Sequence, residues 1–300
     1  MSKPPGFALA DGTRVVPHVP FFIAGSGRCG TTLLRRLLIE QAQVVIPPEN
    51  YLLAVSPRLM VMARGDWAAF CRLAFGNLPK FTANWAGFGI DAGAATALLG
   101  EIPVEQRSVA NFWHAFHALY ARHVGRPSDT SWGDKTPSSV DALAEIVGIF
   151  PAARFVFMVR DVFDMAYSYG RMAAPGRAGD YLGGARRWLE ANSKLLAFRE
   201  QFPALSLIVR YEDLVRDVHA GMARTLDHLG IVPAAASALT AAEQSELRSH
   251  ADLRNVLQDV HRGSIGTGRA ELANDIKMAI AAMAAPMQAR LGYEPRGEVL

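Results

Sequence analysis

The sequence predicts an α/β fold, a mainly parallel sheet flanked by helices, and three stretches carry that prediction. The first, Pro20 to Leu38, is a short apolar run ending at Gly25, then a glycine-rich turn, then an amphipathic helix starting at Thr31 or Thr32. The second, Ala153 to Val159, is a continuous apolar run of the kind a strand buried on both faces needs, with a helix expected from Val162 to Met172. The third runs from Leu205 to Val209 and leads into a helix reaching about Leu229. Strands separated by helix-length segments pair in parallel, because each return crossing needs a helix.

The other elements follow in order. Met1 to His18 is polar, interrupted by Pro4, Pro5 and Pro17, and lacks an apolar core of signal-peptide length. No run in the chain is long enough to span a bilayer, so the expected location is the cytoplasm. Gln41 to Ile46 reads as a second short buried strand, ended by Pro47-Pro48, which donate no backbone hydrogen bond. From Tyr51 to His123 the pattern is helical and rich in Trp and Phe, broken at Gly76, Pro79, Gly87, Gly89, Gly100 and Pro103. It reads as a helical insertion lining the acceptor side of the molecule. Gly133 to Pro137 reads as a polar turn before a helix over Ser138 to Phe150. A long charged helix is expected over Tyr181 to Phe202, then an alanine-rich patch near Pro233 to Ala242, a glycine-rich turn from Arg262 to Arg269, and a last helix. The expected organisation is one domain over 1–300: first strands and loop in 20–50, helical insertion in 51–125, remaining core in 130–270 and terminal helix in 271–300.

Composition narrows the function. In a chain of 300 residues, half are hydrophobic and a fifth charged, which leaves ample core material. A net charge of +3, with an isoelectric point near 9.0, suits a locally held anionic ligand and is too small to argue for nucleic acid or a membrane surface. The two cysteines, Cys29 and Cys71, suggest neither a disulfide framework nor a metal site.

The spacing Gly25…Gly30-Thr31-Thr32 is nearly the phosphate-binding pattern G-x-x-x-x-G-K-[ST], with Thr31 where the lysine should stand and Arg28 supplying a cation inside the loop. Free N–H groups of Gly27, Arg28, Cys29, Gly30, Thr31 and Thr32 and the positive end of the helix would converge on an anion. Further chemistry-bearing residues sit where the predicted strands end: Glu49, Arg160 with Ser168, and Tyr211. In a parallel sheet these ends share one edge. Two cationic sites, several hydroxyls, one carboxylate and an aromatic make a site for a polyanionic nucleotide and a proton acceptor. No metal is expected to be needed. A nucleoside or sugar kinase of P-loop-like fold that has lost its lysine is one alternative, for which Asp161 would have to hold Mg²⁺. A catalytically inactive nucleotide-binding protein on the same fold is another.

These motifs resemble those of the sulfotransferase family that uses 3′-phosphoadenosine 5′-phosphosulfate (PAPS), especially its bacterial branch and the protein-tyrosine sulfotransferases. The resemblance implies that Gly25 to Thr32 binds the 5′-phosphosulfate, and that Arg160 and Ser168, eight residues apart, bind the 3′-phosphate. Val209 to Leu214 carries Tyr211, similar to a tyrosine close to the nucleotide, and Arg262 to Gly266, with Ser264 and Gly266, resembles the loop that closes over the cofactor. Lys135, in Gly-Asp-Lys-Thr-Pro, resembles a lysine that reaches the leaving oxygen, and Glu49 matches the glutamate base of the tyrosine-sulfating relatives. The cytosolic small-molecule branch uses histidine, which makes His114 and His117 reserve candidates. The implied reaction is in-line sulfonyl transfer to an acceptor hydroxyl of a small molecule, lipid or peptide, leaving adenosine 3′,5′-bisphosphate, with the many aromatics of the insertion favouring an acceptor that has an apolar or ring-shaped part.

Overall fold

The computed structural model describes residues 6–82, 84–172, 176, 178–234, 238–248, 257 and 259–293. Strands β1 (Phe7–Ala8) and β2 (Arg14–Val15) form a small antiparallel pair. The main sheet begins with β3 (Phe21–Gly25), and α1 (Thr31–Ala42) follows the glycine turn. The insertion supplies α2 (Ser56–Met62), α3 (Trp67–Asn77), α4 (Ala92–Gly100) and α5 (Val109–His123). Next come β4 (Gly133–Lys135), α6 (Leu143–Ile149), β5 (Arg154–Val159), α7 (Val162–Gly170) and α8 (Tyr181–Gln201). The chain continues with β6 (Ser206–Arg210), α9 (Tyr211–Arg216), α10 (Val218–Leu229), α11 (Ala241–Arg248), α12 (Thr267–Glu271) and α13 (Asn274–Arg290).

The four strands of the main sheet are all parallel, in the order β4-β3-β5-β6. The continuous apolar runs foreseen for β3 and β5 are buried on both faces. Phe22, Ala24, Phe155 and Phe157 face one core, shared with α3, α5, α7 and α8; Phe21, Ile23, Val156 and Met158 face a second, shared with α1, α9 and α10. Period-two alternation therefore divides one apolar strand between two cores. The insertion's aromatics mostly fill the first core: Trp67, Phe70, Phe75, Phe88, Phe112, Trp113 and Phe116 are all buried.

Four sequence expectations give way. Gln41 and Ala42 belong to α1, which stops at Gln43 in the left-handed region (φ 51°), so the strand expected over Gln41 to Ile46 shrinks to a parallel bridge between Val45 and Trp132. Val44, Val45 and Ile46 are buried as expected, but Pro47-Pro48 leaves no room for a ladder. Gly133 to Lys135 is an edge strand rather than a turn: Phe21 pairs with Gly133 and Ile23 with Lys135. A side chain at Gly133 would collide with the Phe21 ring, so the glycine that looked like turn chemistry makes room for a neighbour. The helix expected over Ser138 to Phe150 is a 3₁₀ turn at Pro137–Asp141 followed by α6. The helix expected to run unbroken to Leu229 breaks at Asp217, whose extended backbone ends α9 and whose carboxylate caps α10 by accepting from Ala220 N at 2.9 Å. The alanine-rich patch near Pro233 to Ala242 lies partly outside the described residues.

Candidate active site

Parallel pairing puts the C-terminal ends of the four main-sheet strands on one edge, and there the chain places its candidate chemistry. Gly25 ends β3 and opens the glycine turn, Lys135 ends β4, Arg160 follows β5, and Tyr211 follows β6. The turn itself is left-handed at Gly27 (φ 79°), Arg28 (φ 53°) and Gly30 (φ 95°). A non-glycine residue held there costs about 1–3 kcal/mol, so Arg28 is strained where it would contact an anion. Gly30 caps α1 without a side-chain hydrogen bond, and the first turn of α1 carries no acidic residue. The helix's free N–H groups and positive end thus remain available to an anion.

The expected residues converge on this turn. Arg28 Nε donates to Ser168 Oγ at 3.1 Å across 140 residues of sequence. Arg160 Nη1 donates to the Arg28 carbonyl at 3.2 Å and Nη2 to the Ser264 carbonyl at 2.7 Å, so one guanidinium ties the anion turn to the late glycine-rich turn. Its Nε is buried and has no hydrogen-bond partner. The guanidinium stacks over the Tyr211 ring at 4.6 Å, and the Tyr211 hydroxyl lies 2.6 Å from Ser264 Oγ. The same ring abuts Gly30, where an added Cβ would come within 2.5 Å of it. A buried arginine with a spare donor, a second arginine, an uncapped helix terminus and two serines form a donor-rich set suited to a ligand bearing phosphate or sulfate. Cys29 enters only through its backbone, since its side chain is buried and burial pushes the thiol pKa up. Thr31 is buried and Thr32 half-buried in the first turn of α1.

Glu49 and Lys135 meet directly. Lys135 Nζ donates to Glu49 Oε1 at 2.6 Å, with the lysine side chain 4% exposed and the glutamate 25% exposed. Thr136 Oγ1 accepts from Asn50 N at 2.9 Å, fixing the Glu49 segment against the end of β4. Asp134 on β4 is buried with Oδ2 unpartnered; burial raises its pKa to about 7, against the lowering influence of Thr136 and Lys135. The two histidines lie in the core around Trp132. His114 Nδ1 accepts from Trp132 Nε1 at 2.9 Å, and His117 stacks on the indole at 3.7 Å. Burial pushes His114 down to about 4 and His117 to about 3, so both are neutral near pH 7.

Sequence reasoning missed two contacts. The Tyr51 hydroxyl donates to Glu49 Oε2 at 2.6 Å; its only signal was a hydroxyl two residues from the carboxylate. Asp164, in the first turn of α7, accepts from Gly266 N at 2.8 Å and Gly268 N at 2.7 Å, anchoring the late turn. Its position four residues from both Arg160 and Ser168 was the available clue.

A glycine turn carrying Arg28, with Arg160 bonded to it and the Lys135–Glu49 pair at the end of the neighbouring strand, stands at the edge of a parallel sheet. The chain belongs to the sulfotransferase family, whose family model matches residues 20–233. The late turn carrying Ser264 and Gly266 lies beyond that match. Among characterised proteins, the chain is 25% identical over 308 aligned residues to nodulation protein NoeE of Sinorhizobium fredii, covering 94% of this chain and 68% of that one. Its fold is similar to the sulfotransferase domain of the Synechococcus PCC 7002 olefin synthase, with TM-score 0.56, 20% identity and coverage of 95% and 98% of the two chains. It is also similar to the sulfotransferase domain from the curacin biosynthetic pathway, with TM-score 0.57, 18% identity and coverage of 93% and 99%.

Proposed function

We propose that this sulfotransferase moves a sulfonyl group from PAPS to an acceptor hydroxyl, leaving adenosine 3′,5′-bisphosphate. The observation that supports it best is the convergence of Arg28, Arg160, Ser168 and Ser264 on the uncapped start of α1. A nucleotide with phosphate at both ends of its ribose needs two cationic sites, and the two arginines supply them. In this reading the amides from Gly27 to Thr32 and Arg28 hold the phosphosulfate, Arg160 and Ser168 hold the 3′-phosphate, and Tyr211, Ser264 and Gly266 shape the nucleotide cleft. Bound there, the donor supplies a sulfur open to in-line attack and a phosphate leaving group.

Glu49 takes the acceptor's proton, and Lys135 carries the compensating charge. While Glu49 is ionised, the ammonium is paired to it at 2.6 Å. Once Glu49 is protonated, that pairing weakens and Lys135 is released to balance negative charge on the leaving oxygen. The kinase alternative loses its carboxylate: Asp161 caps α7 by accepting from Phe163 N and Asp164 N, and it pairs with Arg269 at 2.8 Å. The acceptor in this reading is a small-molecule, lipid or peptide hydroxyl with an apolar part, reaching Glu49 from the insertion, and the reaction takes place in the cytoplasm.

Thermal unfolding with ligands tests the reading. Adenosine 3′,5′-bisphosphate in the presence of a chelator should raise the melting temperature by several degrees, since ligand at a hundred times its Kd adds about 2.7 kcal/mol. Stabilisation by Mg²⁺-ATP alone would refute it.

A further inference from the structure

We propose that Tyr51 is a gate on the acceptor side: its phenol occupies the place on Glu49 that an acceptor hydroxyl takes, and it leaves by side-chain rotation when an acceptor arrives. This rests on the reading of Glu49 as the base. Both carboxylate oxygens are engaged, and the two donors differ in accessibility. Lys135 holds Oε1 from the buried side, at 4% side-chain exposure, whereas Tyr51 holds Oε2 and is 38% exposed. The Glu49 side chain is itself 25% exposed, so what the phenol occupies is one position on it: an incoming hydroxyl that would bond to Oε2 finds the Tyr51 hydroxyl already there. That hydroxyl, 2.6 Å from Oε2, already makes the contact a general base must make with the group it deprotonates.

The backbone around Tyr51 is pinned, so the gate cannot be a moving loop. Tyr51 N donates to the Phe81 carbonyl at 2.9 Å, Asn50 bridges to Thr82, and Asn50 N donates to Thr136 Oγ1 at 2.9 Å. Leu52 N donates to Asn50 Oδ1 at 3.0 Å on the other side. A change of side-chain rotamer takes the phenol off Glu49 without moving this backbone, and rotamers of exposed side chains exchange on a picosecond to nanosecond scale. Phe81, whose carbonyl accepts from Tyr51 N, is itself 40% accessible.

A gate of this kind keeps water from hydrogen-bonding to Oε2 while the donor is bound. Without it, Glu49 would take a proton from water, the water oxygen would bond to sulfur, and the bond from sulfur to the phosphate oxygen would break. Sulfate and adenosine 3′,5′-bisphosphate would result, and the donor would be wasted. The test needs only PAPS: release of adenosine 3′,5′-bisphosphate is followed without acceptor in the parent, Tyr51→Phe, Tyr51→Ala, Glu49→Gln and the Glu49→Gln/Tyr51→Phe double variant.

Tyr51→Phe is expected to speed hydrolysis roughly tenfold, as expected when a hydrogen bond to a charged group is lost. Tyr51→Ala should do so at least as much, the double variant should lose the gain, and bisphosphate affinity by thermal shift should match the parent throughout. Hydrolysis no faster in Tyr51→Phe with bisphosphate affinity intact, or a gain that persists in the double variant, overturns the gate. So does sulfotyrosine on the peptide carrying Tyr51, which would make that residue an acceptor. A parent that does not bind the bisphosphate fails on the donor itself, and the gate falls with it.

Discussion

At Arg28 the backbone sits at φ 53°, a region that side chains avoid, while its own carbonyl and guanidinium bind Arg160 and Ser168. The strain persists because those contacts over-determine the turn. Asp134 shows a second cost of building this edge. Its carboxyl is buried beside the Lys135–Glu49 pair with one oxygen unpartnered, and its pKa is raised to about 7. A raised carboxyl favours folding below its unfolded pKa near 3.8, and that contribution is lost as pH rises through about 7. Asp134→Asn should therefore gain on the parent between pH 4 and 7, by up to about 1.4 kcal/mol per pH unit, measured by urea unfolding at each pH. A constant difference across that range would mean that the carboxyl is already satisfied.

Among the elements, the late turn is held in place by several others. Asp164 accepts from two of its amides, Arg160 donates to its Ser264 carbonyl, and the Tyr211 hydroxyl bonds to its Ser264 hydroxyl, so helix α7 and the ends of β5 and β6 hold it jointly. Gly268 lies so close to α7 that a Cβ would collide with the Phe163 carbonyl and the Asp164 amide, both backbone atoms that cannot rotate away. Gly268→Ala should push the turn off Asp164 and weaken adenosine 3′,5′-bisphosphate binding at least tenfold, about 1.4 kcal/mol. The far-UV circular dichroism should stay that of the parent. Unchanged affinity in isothermal titration would show that the turn does not contribute to the nucleotide site.

Across the whole molecule, two cores on either side of one sheet do most of the packing, and buried charge ties on the outer pieces. Arg35 of α1 meets Glu246 of α11 at 2.7 Å with both side chains buried, and Arg126 holds Glu243 through two contacts of 2.8 and 2.9 Å. Removing one partner of such a pair costs about 3–5 kcal/mol, because the other charge is left buried. The core also contains His114 and His117, whose pKa values burial depresses to about 4 and 3. A depressed histidine contributes fully above its unfolded pKa near 6.5, and that contribution is lost as pH falls toward the folded value. His117→Gln should thus lose less stability than the parent between pH 6.5 and 4, seen as a shallower fall in denaturation midpoint. Equal slopes would mean that His117 protonates without disturbing the Trp132 stack.

Local pattern settled the parts of this protein that depend on near neighbours. An apolar run followed by Gly25 to Thr32 dictates strand, anion turn and helix, because the backbone conformations and free amides are properties of those few residues. The parallel class followed from strand and helix lengths, and Arg28, Arg160, Ser168 and Tyr211 could be named because each stands in the glycine turn, at a strand end or on the helix after it, whereas Ser264 was named only through the family resemblance of its turn. Pairing across the chain was decided only by the tertiary structure. Gly133 to Lys135 is a strand because β3 lies beside it, and Gln41 to Ile46 is not because α1 runs on and Pro47 follows. Arg35 finds Glu246 211 residues away, and Glu49 has Lys135 on one oxygen and Tyr51 on the other. Such contacts depend on which surfaces meet when two cores close around one sheet, and no local spacing encodes that geometry.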